Sequence, residues 1–267
     1  MRYNRKGFVQ KDFRDDGRDE VKPIKFVAAG DIHGDEQDPT TVKALLRFCE
    51  EYKPDLVVNL GDNWDFRAIR RGADDTDQAS SLQKDWDEGE EFIRAFFKFG
   101  QERVFLRGNH DERIFDMSTN VKSGVARDYA LDGCNNIETI MKETRGKMYP
   151  YDSTAGVYKN GSLTFVHGYG ASMHGAKQHA DAYGAGAVLF GHTHAIDYFK
   201  SVSLDSREAY NIGCCCNKTP SYTRGQMRRL RWQHGWAFGL IHEHGHDVFQ
   251  AKERNGKFIV PTNMKTF

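Results

Sequence analysis

Short apolar runs punctuate an otherwise polar chain. IKFVAAG (24–30), DLVVNLG (55–61), RVFLRG (103–108), SLTFVHG (162–168) and AVLFGH (187–192) are too short for helices and run into glycine, the pattern of buried strands. Between the first three, apolar positions recur at helical spacing. Val42, Leu45, Leu46 and Cys49 predict a helix over PTTVKALLRFCEEY (39–52), with Pro39 and Thr40 suited to its start. Leu82, Trp86, Ile93, Phe96 and Phe97 predict a second over about 80–99. Residues 66–80 read as a polar loop and 111–150 as less regular, and the Gly/Ala-rich stretch after 168 predicts a helix. Toward the C-terminus apolar and polar residues alternate, with turn signals such as RNGK at 254–257, which predicts antiparallel strands.

Strand, helix, strand, helix, strand is the order of a parallel sheet with right-handed crossovers. With the C-terminal strands it predicts an α/β chain with two sheets. The expected division is a charged N-terminal arm over 1–22 and one domain over 23–267.

Composition narrows the picture. The 267 residues are 39% hydrophobic with a formal net charge of +0, so there is no global pull toward nucleic acid or an anionic membrane. No apolar run approaches the roughly 20 residues of a membrane span. The opening MRYNRKGFVQKDFRDDGRDE has no apolar core of a secretory signal. Five cysteines, three of them consecutive at 214–216, make no disulfide framework, and a reducing, cytoplasmic setting is expected. Nothing in the pattern sets the oligomeric state.

The candidate chemistry lies where the apolar runs end. FVAAG empties into DIHGD, VVNL into GDNWD, VFLR into GNHDE, LTFV into HGYG and VLF into GHTH. Ligands of open α/β sheets bind beyond the carboxyl ends of the strands, so five such loops converge. Asp31, His33, Asp62, Asn109, His167, His192 and His194 offer carboxylate, amide and imidazole donors without a thiolate, unlike a structural zinc site. Mixed N and O donors suit manganese, iron, zinc or nickel. Seven donors exceed one tetrahedral site and suit two cations about 3.5–4 Å apart with one carboxylate between them.

The series DIH, GDNWD, GNHD, HG and GHTH, in that order over about residues 24–195, resembles the calcineurin-like metallophosphoesterase superfamily. The resemblance implies two packed mixed sheets flanked by helices, a four-layer α/β/β/α sandwich. It implies that Asp31, His33 and His194 hold one metal, that Asn109, His167 and His192 hold the other, and that Asp62 bridges. It implies that His110 sits beside the phosphate as general acid and that Asp111 orients it. Two divalent ions, manganese foremost, would then acidify a bridging water to serve as nucleophile. A histidine suits the proton delivery because its pKa lies near operating pH.

The expected function is metal-dependent hydrolysis of a phosphomonoester or phosphodiester, with a small molecule or nucleotide as partner. A DNA nuclease of the same family is the alternative, favoured by Arg228, Arg229 and Arg231, and a catalytically silent scaffold is the third reading. GDNWDFR departs from the GDxVDRG of the family's protein phosphatases, since Phe66 stands where their phosphate-binding arginine would be. Arg67, Asn109 and His174 are candidate substrate contacts, with His179 as a further one. Asp35 and Asp65 are candidates for orienting the ligands. HEHGH (242–246) is expected to be a hairpin turn rather than an extra metal site, Trp232 and Trp236 to be buried, and the three consecutive cysteines to be buried thiols at a strand end.

Overall fold

The computed structural model describes residues 22–219 and 227–260; the N-terminal arm therefore lies outside the described residues apart from Lys22, and the side chain of Arg228 is also outside them. The chain begins β1 (Ile24–Ala29), α1 (Pro39–Tyr52), β2 (Leu56–Asn59), α2 (Asp75–Gln78), α3 (Leu82–Phe96), β3 (Glu102–Leu106), α4 (Glu112–Asn120), α5 (Gly124–Thr144) and β4 (Lys147–Tyr149). A second run follows with β5 (Tyr158–Asn160), β6 (Leu163–Phe165), α6 (Gly175–Tyr183), β7 (Gly186–Phe190), β8 (Ile196–Lys200) and β9 (Arg207–Ile212). The last strands are β10 (Gly235–His242), β11 (Gly245–Arg254) and β12 (Lys257–Phe258).

Two mixed sheets result. One has seven strands in the order β12-β11-β10-β1-β2-β3-β4, and the other has five in the order β5-β6-β7-β9-β8. β1, β2, β3 and β4 run parallel, while β10 pairs antiparallel with β1. The C-terminal strands thus extend the first sheet rather than forming a separate one.

Period-two alternation explains why the strand sequences read as unbroken apolar runs. In β1, Val27 and Ala29 pack with α1, α3 and α5, whereas Phe26 and Ala28 face the other sheet. β2 and β3 repeat this with Val57 and Phe105 on the helix side and Val58 and Leu106 between the sheets. In β7, Leu189 joins the layer between the sheets and Val188 and Phe190 join the cluster under α6. Helix, sheet, sheet and helix are therefore stacked with three apolar interfaces, the architecture that the resemblance implies.

α1 matches its predicted span, starting at Asp38, whose side chain accepts from the Thr41 amide. α3 is shorter than predicted by about one turn, and Ser81 caps it. The segment 111–150 is corrected: it holds α4 and the 21-residue α5. The buried stripe of α5, Ala130, Gly133, Cys134, Ile137, Ile140 and Met141, has helical spacing but opens with small residues. Val125, Tyr129 and Leu131 are exposed and blur the pattern. The loop 66–80 contains a 3-10 turn at Arg67–Ile69 and the single-turn α2.

HEHGH is the β10–β11 hairpin turn, with His242 paired to Gly245. Its histidines diverge: His246 bonds the Ser162 hydroxyl at 2.7 Å, and His242 faces Asp247. Among the described residues no metal-like cluster forms there.

Candidate metal centre and cleft

All five motif loops meet at one end of the two sheets. The chain turns so sharply after each strand that five of the seven candidate donors adopt left-handed backbone: Asp31 (φ 52°), His33 (58°), Asp62 (49°), His192 (66°) and His194 (57°). Gly61, at φ 99°, is required where it stands, because a Cβ would lie 2.5 Å from both the Leu106 carbonyl and the Gly108 nitrogen. Backbone bonds lock the loops together. Ile32 and His33 donate to the Asp62 carbonyl, Cys215 donates to the Asp31 carbonyl, and the His192 amide donates to the Asp31 carboxylate at 2.9 Å.

The side chains form two sets. In one, His194 Nε2 lies 3.2 Å from His33 Nε2 and 3.3 Å from Asp31 Oδ1. In the other, Asn109 Oδ1 lies 2.8 Å from His192 Nδ1 and 3.2 Å from His167 Nε2, and these two nitrogens are 3.3 Å apart. Asp62 stands between the sets. Its Oδ1 accepts from the His110 amide at 2.8 Å, while Oδ2 lies 3.9 Å from His33 Nε2 and 3.3 Å from His167 Nε2. Bonds of about 2.0–2.2 Å to a shared ion put neighbouring donors roughly 2.8–3.6 Å apart, so both sets fit a cation.

The outward nitrogens agree. His167 Nδ1 donates to the Leu60 carbonyl at 2.7 Å, and His33 Nδ1 donates to Asp65 at 3.3 Å, leaving each Nε2 bare toward the donors.

Charge is concentrated here. Burial alone would lower the His33 imidazole, but the bond and charge of Asp65 and the charges of Asp62 and Asp31 lift it to about 9. His167 is likewise lifted to about 9, against burial, by Asp62 and Asp31. Burial would raise Asp62, yet His167, His110 and His33 hold it well below the usual carboxylate range. His192 falls to about 4 through burial and the charge of His167.

His110 lies beside this pair of sets, its Nε2 3.9 Å from Asp62 Oδ2. Burial pushes its pKa below the ordinary value, opposed by the charge of Asp62 and the bond to Asp65. The expectation that Asp111 orients it is corrected. The Asp111 carboxylate accepts from the backbone amides of Asn63, Trp64 and Gly108, so it ties the second motif to the third. Asp65 is the orienting carboxylate: its Oδ1 accepts from His110 Nδ1 at 2.5 Å as well as from His33. Asp65 is in turn held by Asp85, which accepts from the amides of Asp65 and Phe66.

The other candidates separate. Arg67 lines the cleft but is bound by Asp35 through both terminal nitrogens, at 2.6 and 2.7 Å. Phe66 is fully buried against Trp64 and Trp86. His174 is corrected: it is exposed at the start of α6 and does not line the cleft. His179 is buried, donates to the Gly175 carbonyl, accepts from the Tyr169 amide and stacks on Phe190, so both nitrogens are occupied inside the protein. Trp236 is buried as expected, but Trp232 is only half-buried and lines the cleft against His194, with ring centroids 4.1 Å apart. Arg231 also lines the cleft, paired to Asp197 at 3.1 Å.

Three features escaped the sequence reading. Arg113 reaches the cleft and donates to the Asp65 carbonyl at 2.6 Å; reading α4 as a helix would have set it one turn beyond His110. Arg70 lines the same side, paired with Asp77. Cys216 brings a sulfur to the edge of the site, 3.6 Å from His194 Nδ1. Its sulfur groups with ring nitrogens of His33 and His194 within 4.8 Å, and burial and the neighbouring Cys214 push its thiol pKa well up.

The family model for calcineurin-like phosphoesterases matches residues 24–195. The chain belongs to the calcineurin-like phosphoesterase family, and at that general level it is a metal-dependent phosphoester hydrolase. No curated protein sequence matches it. Among solved structures, vacuolar protein sorting 29 from Cryptosporidium parvum is 13% identical, with 90% of this chain and 97% of that chain covered and a TM-score of 0.50. Wild-type Vps29 from Entamoeba histolytica, solved with zinc, is 12% identical, with 90% and 100% covered and a TM-score of 0.46. The phosphoesterase Yfce from E. coli is 13% identical, with 85% and 98% covered and a TM-score of 0.36. The first of these bears on the fold alone.

Proposed function

We propose that this protein hydrolyses phosphate esters with two divalent cations, one held by Asp31, His33 and His194, the other by Asn109, His167 and His192, with Asp62 shared. The observation that carries this reading is the pair of donor sets meeting at Asp62 Oδ2 directly beside His110. Bound cations would supply an acidified water and would draw charge from the phosphate. The amide and carboxylate donors suit manganese, the expected metal, and the imidazoles suit iron, zinc or nickel as alternatives.

The chain's own groups do the rest. Asp65 accepts the Nδ1–H hydrogen bond of His110 and supports its protonated form, whose Nε2–H is free to pass a proton to the leaving oxygen. Because burial lowers the His110 pKa, its protonated form is a stronger acid but is populated only toward lower pH. Arg113 and Arg67 place positive charge beside Asp65 and favour a phosphate there. The five cysteines are all unpaired and buried, in keeping with a cytoplasmic setting. No helix among the described residues is long and apolar enough to cross a membrane.

The test is metal stoichiometry followed by hydrolysis of an alkyl phosphodiester, a phosphomonoester and DNA, with each candidate metal. His110→Ala should keep its metal and lose about 10²–10⁴-fold in turnover on the alkyl ester. Failure of every metal to support hydrolysis, or near-normal turnover by that variant, overturns the reading.

A further inference from the structure

The cleft above the donors encloses about 580 Å³. Sites that swallow a whole organic ligand fall at roughly 300–1,000 Å³, so there is room for far more than one phosphate. Its two sides differ in chemistry. On the His194 side, Trp232 is joined by Met173 and Met227, which are 74% and 84% exposed at the mouth. Such an apolar edge beside charged groups fits a flat ring.

The His110 side is cationic. Arg67 and Arg70 there are already matched to Asp35 and Asp77. Arg113 differs. Its carboxylate neighbour, Asp65, is 3.5 Å away and already shared between His33 and His110. Arg113 is therefore the cation on this side with the most charge left to offer a ligand.

We propose that the cleft takes a pyrophosphate-linked nucleotide, with the nucleobase of the retained arm seated on Trp232 between Met173 and Met227 and the second phosphate, on the leaving arm, held by Arg113. This rests on the hydrolytic reading above. The polarity follows from the cleft: the leaving oxygen departs on the His110 side, where Arg113 can offset the charge that builds on the second phosphate. Water oxygen bonds to the nucleoside-side phosphorus, and the bond from that phosphorus to the bridging oxygen breaks. The bridging oxygen departs on the second phosphate, a leaving group that needs no proton, with Arg113 offsetting its charge, and the protons of the attacking water are released to solvent or kept by the two product phosphates. One water is consumed and two phosphomonoesters form. A nucleic-acid strand also offers bases and phosphates, but its leaving oxygen belongs to a sugar, so no phosphate is attached directly to it.

The test compares diadenosine diphosphate with adenylyl-adenosine, which has one linking phosphate, and with an oligonucleotide. The metal-loaded protein should favour the pyrophosphate link by about tenfold or more in kcat/KM, as one charge-assisted phosphate contact allows. Arg113→Gln should cost that substrate about tenfold more than it costs adenylyl-adenosine. Trp232→Ala should raise KM for both dinucleotides more than for dimethyl phosphate. Equal rates on the two dinucleotides, faster turnover of the oligonucleotide, or an equal loss on all substrates in Arg113→Gln overturns the proposal. If no phosphoester is hydrolysed, the hydrolytic reading fails and calorimetric binding decides this one. ADP should then bind about tenfold tighter than AMP, with the difference lost in Arg113→Gln; equal affinities overturn it.

Discussion

Replacing Asp65 by asparagine isolates one charge at the junction of the site. The side chain is buried, and its Oδ1 accepts from His110 at 2.5 Å and from His33 at 3.3 Å. Asparagine keeps the shape and one oxygen, so a neutral hydrogen bond to His110 survives. Hydrogen bonds to charged groups contribute about 1.5–3 kcal/mol and neutral ones about 0.5–1.5. The difference of about 1–1.5 kcal/mol corresponds to roughly tenfold in kcat at about 1.36 kcal/mol per decade. Alanine removes the acceptor altogether and should cost about 10–150-fold on the same scale. The direction with pH is also set. Asp65 supports the protonated form of His110, so its loss lowers the His110 pKa further. A general acid works protonated, and the alkaline limb of the rate profile should therefore move to lower pH. The assay is kcat against pH on an alkyl phosphodiester, with metal content measured alongside. A nitrophenyl ester, whose leaving group needs no proton, should respond much less. Wild-type kcat with an unmoved alkaline limb and full metal content would refute the orienting role.

Asp62→Asn should weaken both donor sets together, because Oδ2 is the atom they share; unchanged metal content by elemental analysis would contradict this. In chelated protein, His33 and His167 have folded pKa values lifted to about 9 from an ordinary 6.5. Such groups contribute stability that is fully present below 6.5 and is lost as pH rises through 9, so the melting temperature should fall across that window. Metal affinity should rise over the same range as those imidazoles give up protons, flattening the curve of the loaded protein; a flat profile without metal would count against the charge pairing.

The central strands were legible because β2 is buried throughout and β1 and β3 are buried over all but their first two residues, so short apolar runs carry the signal, and α1 because its apolar residues recur at helical spacing. The convergence of the candidate donors was legible because each follows such a run. α5 was not, since its buried stripe uses Gly133 and Cys134 where Leu or Ile would have declared it. Asp65 and Asp111 both sit beside donors in sequence, and nothing in spacing tells which one turns toward His110. That depends on Asp111 being drawn to three backbone amides, a contact that exists only once the second and third motif loops lie side by side. Trp232 and Arg113 reach the cleft from segments far from one another in the chain, beyond what local pattern can report.

The left-handed backbone of Asp31, His33, Asp62, His192 and His194 has an evolutionary side. A non-glycine residue held in that conformation costs of order 1–3 kcal/mol, and glycine escapes it. At the half-buried His192, glycine would remove a donor and relax the chain in one step, leaving the amide that binds Asp31 in place. Chelated His192→Gly protein should melt above the parent; equal or lower stability would deny the strain. Folding and hydrolysis therefore select in opposite directions at His192. In a lineage released from catalysis, this histidine would be free to drift to glycine, and the sandwich would gain stability by losing it.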